Sequence, residues 1–87
     1  MLNFYFWDRA YSFGPYKRES TIKVNNITVV LTLEKGNNWR IYFYNKKESS
    51  EDNDGYIMDY SISEKLALKI INEAKEYQSF LYDRNAY

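Results

Sequence analysis

The sequence predicts an α+β domain: a small antiparallel β-sheet of three to five strands with one C-terminal α-helix packed on one face. Alternating apolar segments separated by Asn/Gly turns fill the chain up to about residue 60, and a run of apolar residues at helical spacing follows from Leu66 to Leu81. A length of 87 residues fits one core, so residues 1–87 read as a single domain.

Residues 2–7 set Leu2, Phe4 and Phe6 against Asn3, Tyr5 and Trp7, the period-two pattern of a strand buried on one side. Residues 8–19 break this pattern with Gly14, Pro15 and scattered aromatics, and read as an ordered turn or loop. Residues 21–24 are a short strand and 27–34 a β-branched one. Asn25 and Asn26 join them as a hairpin, because Asn tolerates positive φ. A second turn at Lys35, Gly36, Asn37 and Asn38 leads into residues 39–44, whose aromatics favour a strand. Residues 45–55 are polar and acidic and read as a solvated loop, after which 56–60 return as an edge strand.

The helix opens at Ser61, Ile62, Ser63 and Glu64, which offer two N-cap serines and capping-box spacing from Ser61 to Glu64. Leu66, Ala67, Ile70, Ile71, Ala74, Tyr77 and Leu81 define its apolar face, while Lys65, Lys69, Asn72, Glu73, Glu76 and Ser79 fall largely on the other side. Ending between residues 81 and 84, it is about 30 Å long, enough to cross several strands.

One amphipathic helix covers one sheet face, so the second face needs an account. If Leu2, Phe4, Phe6, Ile27, Val29, Leu31, Leu33, Trp39, Ile41 and Phe43 face the helix, the opposite face carries Tyr5, Trp7, Thr28, Val30, Thr32, Arg40, Tyr42 and Tyr44. Tyr, Trp and Arg are the residues that dominate protein-binding hot spots, and aromatics on a sheet also stack nucleobases. Two readings stay open here. Either this face is an exposed binding patch, or residues 8–19 fold over it with Tyr11, Phe13 and Tyr16 and make it a second core.

Composition removes whole classes of chemistry. The chain has no cysteine and no histidine, so disulfides, Cys/His zinc sites, thiol nucleophiles and imidazole bases are excluded. No enzymatic activity, metal or cofactor is expected. The apolar start, residues 1–7, is too short for a secretory h-region and is stopped by Asp8 and Arg9, and no stretch is long enough to span a bilayer. These features point to a protein of the cytoplasm, without a membrane partner.

The net charge is zero, yet residues 1–47 carry eight Lys/Arg against three Asp/Glu, and residues 48–87 four against nine. Such asymmetry makes either one basic and one acidic face, or halves that interleave and neutralise each other. The most acidic stretch holds Glu48, Glu51, Asp52 and Asp54. Asp52, Asp54 and Gly55 match part of a calcium loop, but Ser50 and Ser61 stand where its first ligand and its bidentate Glu belong. Asp59 and Glu64 offer carboxylates for acid/base work, with nothing in the sequence to place them in one cleft.

Two resemblances bear on function. Gly36, Asn37, Asn38, Trp39, Arg40, Ile41 and Tyr42, a later strand, then Ser63, Glu64, Lys65, Leu66 and Ala67 resemble the sheet-plus-helix DNA-binding arm domain of phage integrases, over about half the chain. In size, Asn/Lys/Ile/Tyr-rich composition, aromatic sheet and acidic patches, the chain is similar to small inhibitors encoded by phages and mobile elements, including anti-CRISPR proteins. These share no signature motif, so no residue role carries over. The second resemblance implies a non-enzymatic protein in the cytoplasm of a bacterial host, which occludes a nucleic-acid-binding defence protein such as a CRISPR effector. Its expected contact residues are Tyr5, Trp7, Arg40, Tyr42 and Tyr44, with Glu48, Glu51, Asp52 and Asp54 imitating phosphates. The alternative is a nucleic-acid-binding domain using the basic, aromatic sheet face. A homodimer is compatible with either.

Overall fold

A computed structural model describes residues 3–45 and 56–85. Five strands follow in chain order, β1 (Phe4–Ala10), β2 (Tyr16–Val24), β3 (Ile27–Glu34), β4 (Asn38–Asn45) and β5 (Tyr56–Ile62), and one helix, α1 (Glu64–Asn85), closes the described chain. Each strand pairs antiparallel with the next, so the sheet is a five-stranded meander in the order β1-β2-β3-β4-β5. Among the described residues no helix is long and apolar enough to cross a membrane.

The turns form where the chain can adopt positive φ. Asn25 sits at 56° between β2 and β3, and Gly36 and Asn37 at 87° and 62° between β3 and β4, which are left-handed positions that Gly and Asn occupy at low cost. Asn25 also ties down the start of β1: its N–H donates to the Asn3 carbonyl at 2.8 Å, and its side-chain oxygen accepts the Asn3 N–H at 3.0 Å.

Alternation sorts the strands into two faces. Phe6, Ile22, Leu31, Trp39 and Ile41 face α1 and are buried against Ala67, Ile71 and Ala74, with Phe4, Val24, Val29, Leu33, Ile62 and Ile70 around them. The helix crosses this face diagonally. It starts at the Ile62 end of β5 and reaches β1, where Tyr77 meets the Phe4 ring edge to face at 4.8 Å and Gln78 Nε2 donates to the Phe6 carbonyl at 2.9 Å.

Three expectations from the sequence are corrected. Residues 8–19 are not a loop: β1 runs on to Ala10 and β2 begins at Tyr16, leaving only 11–15 as the connection. The strand continues here on polar residues, because Asp8 accepts a two-pronged bond from Arg18 (Nε at 3.0 Å, Nη2 at 2.8 Å) and another from Ser20 Oγ at 2.7 Å. The N-cap is Ser63, whose Oγ accepts the Leu66 N–H at 3.2 Å, whereas Ser61 belongs to β5. The buried line of the helix is Ala67, Ile71 and Ala74, while Leu66 is 46% exposed and Tyr77 37%. Small alanines let the helix axis approach the sheet, and the larger residues at the margins of the apolar arc are left on its flanks. Leu2 lies outside the described residues.

Candidate functional site

Three cross-strand rows make up most of the face opposite α1, with Lys17, Glu34 and Asn38 beyond them. Tyr5, Lys23, Thr28 and Tyr44 stand side by side across β1 to β4. The next row is Trp7, Thr21, Val30, Tyr42 and Asp59, and the third is Arg9, Glu19, Thr32, Arg40 and Ser61. Large side chains therefore occupy β1 and β4, and β-branched residues fill much of the space between them on β2 and β3. At about 4.8 Å per strand the two aromatic pairs are roughly 14 Å apart.

No described element lies over this face. Of the aromatics proposed to cover it, Tyr11 continues the β1–β2 ladder with its ring 5.4 Å from the Arg9 guanidinium, Phe13 is 91% exposed in the β1–β2 connection and Tyr16 lies within β2. The covered-face reading is thereby corrected for residues 8–19, since the chain that would have formed the cover is spent on extending two strands. Thr21 and Thr32 are nonetheless buried, 5% and 3% exposed. Their shield is the face's own long side chains, with Trp7, Tyr42, Arg40 and Glu19 as immediate neighbours in register and each half-buried. The Thr32 hydroxyl has no hydrogen-bond partner among the described residues.

The sequence-predicted contact residues fall into two groups. Tyr5, Trp7, Arg40, Tyr42 and Tyr44 are brought onto this one face, with Tyr5 exposed and the other four half-buried. Glu48, Glu51, Asp52 and Asp54 lie outside the described residues. Sequence reasoning did not name Arg9, Lys17, Glu19 or Asp59 as members, although continued alternation past residue 7 would have placed Arg9 there.

The electrostatics of the face are close to balanced. Arg40 donates to Asp59 in a tight ion pair, with a longer contact to Ser61 Oγ at 3.5 Å. Arg9, Lys17, Lys23 and Arg40 stand against Glu19, Glu34 and Asp59 on the same side of the sheet, a surplus of one cation. Ion pairs also join the basic and acidic halves of the chain, Arg40 to Asp59 and Lys75 to Asp8, so the halves interleave at these points.

On the helix side, Asp8 anchors a separate polar corner. The Arg18 hydrogen bonds hold its carboxyl below the usual carboxylate range, against a partial desolvation that works the other way. Arg18 also stacks over the Trp39 ring at 5.9 Å. Asp8, Arg18 and Lys75 in this corner are therefore structural partners of one another.

Two surface clefts flank the helix, about 250 Å³ beside Phe4, Gln78 and Leu81 and about 380 Å³ between Asn37, Trp39, Ser61 and Glu64. Neither lies at the centre of the open face. Among the described residues no group of three or more potential ligands is placed to hold a metal ion. No family model, curated protein or solved structure matches the chain.

Proposed function

We propose that the protein is a non-enzymatic binding protein that docks another protein on the open face of its sheet. The observation that carries this reading is the collection of Tyr5, Trp7, Arg40, Tyr42 and Tyr44 on one face that no described element covers. Such side chains give large contact area with few rotatable bonds, so little conformational entropy is lost when a partner fixes them.

Charge favours a protein over a nucleic acid as the partner. Nucleic-acid affinity rests on a surplus of cations that release counterions from phosphates. Here four cations are met by three carboxylates, a surplus of one, and Arg40 is already engaged by Asp59. A face with large aromatics and little net charge suits a protein surface better.

Within that class, we read the chain as an inhibitor of the phage or mobile-element type, which occludes a nucleic-acid-binding host defence protein such as a CRISPR effector. The support for this narrower reading is the small size, the aromatic single-helix sheet and the acidic run of Glu48, Glu51, Asp52 and Asp54, which would compete with phosphates for a basic channel.

Capture from a bacterial lysate on the immobilised protein, with three versions side by side, tests the proposal. Wild type and Lys69→Ala, altered on the exposed side of the helix, are expected to retain the same basic protein. A folded Tyr42→Ala/Tyr44→Ala variant is expected to lose it, and none of the three should bind duplex DNA at low salt. Capture that ignores the tyrosines would refute the assignment of the face. DNA binding abolished by Arg9→Ala/Lys23→Ala would establish the integrase-arm-like alternative instead.

A further inference from the structure

The two edges of the sheet are treated differently. Backbone bonds from Tyr11 to Lys17 and from Asn25 to Asn3 show that the odd residues of β1 bond inward, so Phe4, Phe6, Asp8 and Ala10 turn their main-chain groups outward. This edge is guarded. Gln78 occupies the Phe6 carbonyl at 2.9 Å, Tyr77 packs on Phe4, and Asp8, Arg9 and Lys75 place charges along it. Natural sheets blunt their edges with devices of this kind.

Among the described residues the β5 edge has none of them. Its seven residues include no Pro, Lys or Arg, its register with β4 has no bulge, and its single charge, Asp59, is held by Arg40. Among the described residues nothing bonds to its outer main-chain groups. Carried across the sheet, the alternation of the ladder leaves Ile57, Asp59 and Ser61 as the residues whose N–H and C=O point outward. Tyr60, 47% exposed, stands beside this edge on the helix side and meets the exposed Phe43 edge to face at 6.4 Å.

We propose that β5 is a homodimerisation edge, pairing antiparallel with β5 of a second copy so that the two sheets continue as one. The sequence selects the register. Centring the two-fold axis on Asp59 would set two like charges directly opposite each other, which is destabilising. Centring it on Tyr60 instead sets Tyr60 opposite Tyr60, Asp59 opposite Ser61 and Met58 opposite Ile62, so each pair matches in polarity and the outward groups of Asp59 and Ser61 bond to one another. The bare Phe43 end of each sheet then lies on the same side of the joint as the helix start of the other copy, where Leu66 is also exposed. A two-fold axis perpendicular to the sheet puts both open faces on one side. The dimer stands whether or not those faces bind a partner.

The chain has no cysteine, so a single introduced thiol reports the register cleanly. In a non-hydrogen-bonded antiparallel pair the two Tyr60 Cα atoms would lie about 4.5 Å apart, within disulfide range. Tyr60→Cys is expected to convert fully to a covalent dimer on mild oxidation, whereas Ala10→Cys on the guarded edge should not. Sedimentation of the unmodified chain should show a reversible dimer. Ser61→Pro removes one outward N–H in each copy and should weaken the dimer at least about tenfold. A wild-type chain that sediments as a monomer up to hundreds of micromolar overturns the proposal. So does a dimer in which Tyr60→Cys cross-links no better than Ala10→Cys, a comparison that decides the matter even if Ser61→Pro fails to fold.

Discussion

The two faces of the sheet come from the same five strands and are closed in different ways. On one, Leu31, Trp39 and Ile41 are sealed by a helix that presents Ala67, Ile71 and Ala74. On the other, Thr21 and Thr32 are buried by the long side chains of their own face, while Tyr5 remains exposed and Tyr42 and Tyr44 half-buried. Burial on the helix side therefore serves the fold, and under the proposed function burial on the open side holds aromatic side chains in place for contact. Substitutions should separate the two roles.

The largest effect belongs to the helix side. Ile71 is fully buried between helix and sheet, so Ile71→Ala should lower unfolding free energy by about 2–5 kcal/mol in denaturant titration. A loss below about 1 kcal/mol would mean that the helix does not seal this face. On the open side, Tyr44→Ala should weaken the partner complex by roughly 1–3 kcal/mol, mainly through faster dissociation, because hot-spot aromatics act after docking. Its stability cost should be clearly smaller than that of Ile71→Ala. Binding kinetics and unfolding measured on the same variant check both halves of that contrast, and equal stability costs would erase the distinction between the faces.

Smaller effects sharpen it. The Arg18 hydrogen bonds lower the Asp8 pKa in the folded chain from its ordinary 3.8. A carboxylate whose pKa is depressed by folding stabilises above its unfolded pKa and loses that contribution as pH falls through the folded value, so this part of the stability should fade below about pH 4. Because the pair is partly exposed and screened, Asp8→Asn should cost only about 1 kcal/mol at neutral pH and remove this acid-sensitive component. Unfolding midpoints at pH 7 and pH 3 give the difference. Smallest of all is Thr32→Val, which deletes a buried hydroxyl with no partner among the described residues and should be neutral or stabilising by up to about 1 kcal/mol. A clear destabilisation in thermal unfolding would mean that the open face depends on a polar contact at its centre.

How much of this was legible in the sequence follows from where apolar periodicity carries information. Between residues 27 and 44 the alternation is strong, and the hairpin, the β3–β4 turn and the membership of both faces all emerged as read, Asn25 and Gly36 included. The signal faded where polar residues build strands. Asp8, Arg9, Arg18 and Ser20 look like a loop in one dimension, and only their pairing across ten or more residues makes them a ladder. The helix was visible, but its rotation was not. Leu66 and Ala67 both lie within the apolar arc, and choosing the alanine requires knowing how closely the sheet approaches. Ser61 and Ser63 are equivalent caps until β5 claims the first. Of the contact residues, the five on strands were readable from period two, whereas Glu48, Glu51, Asp52 and Asp54 carry no pattern beyond their charge.

The protein contains its own probes of the central claim, because its two tryptophans lie on opposite faces: Trp7 half-buried on the open side, Trp39 only 4% exposed beneath the helix. Acrylamide quenching of Trp39→Phe, which leaves Trp7 as the sole emitter, and of Trp7→Phe, which leaves Trp39, measures the access of solvent to each face directly. The account predicts that Trp7 is quenched several-fold more efficiently than Trp39 in the folded chain, and that binding of a captured partner protects Trp7 alone. Equal protection of the two tryptophans in the free protein would contradict it, because the second face would then be a closed core and could not be the surface that binds.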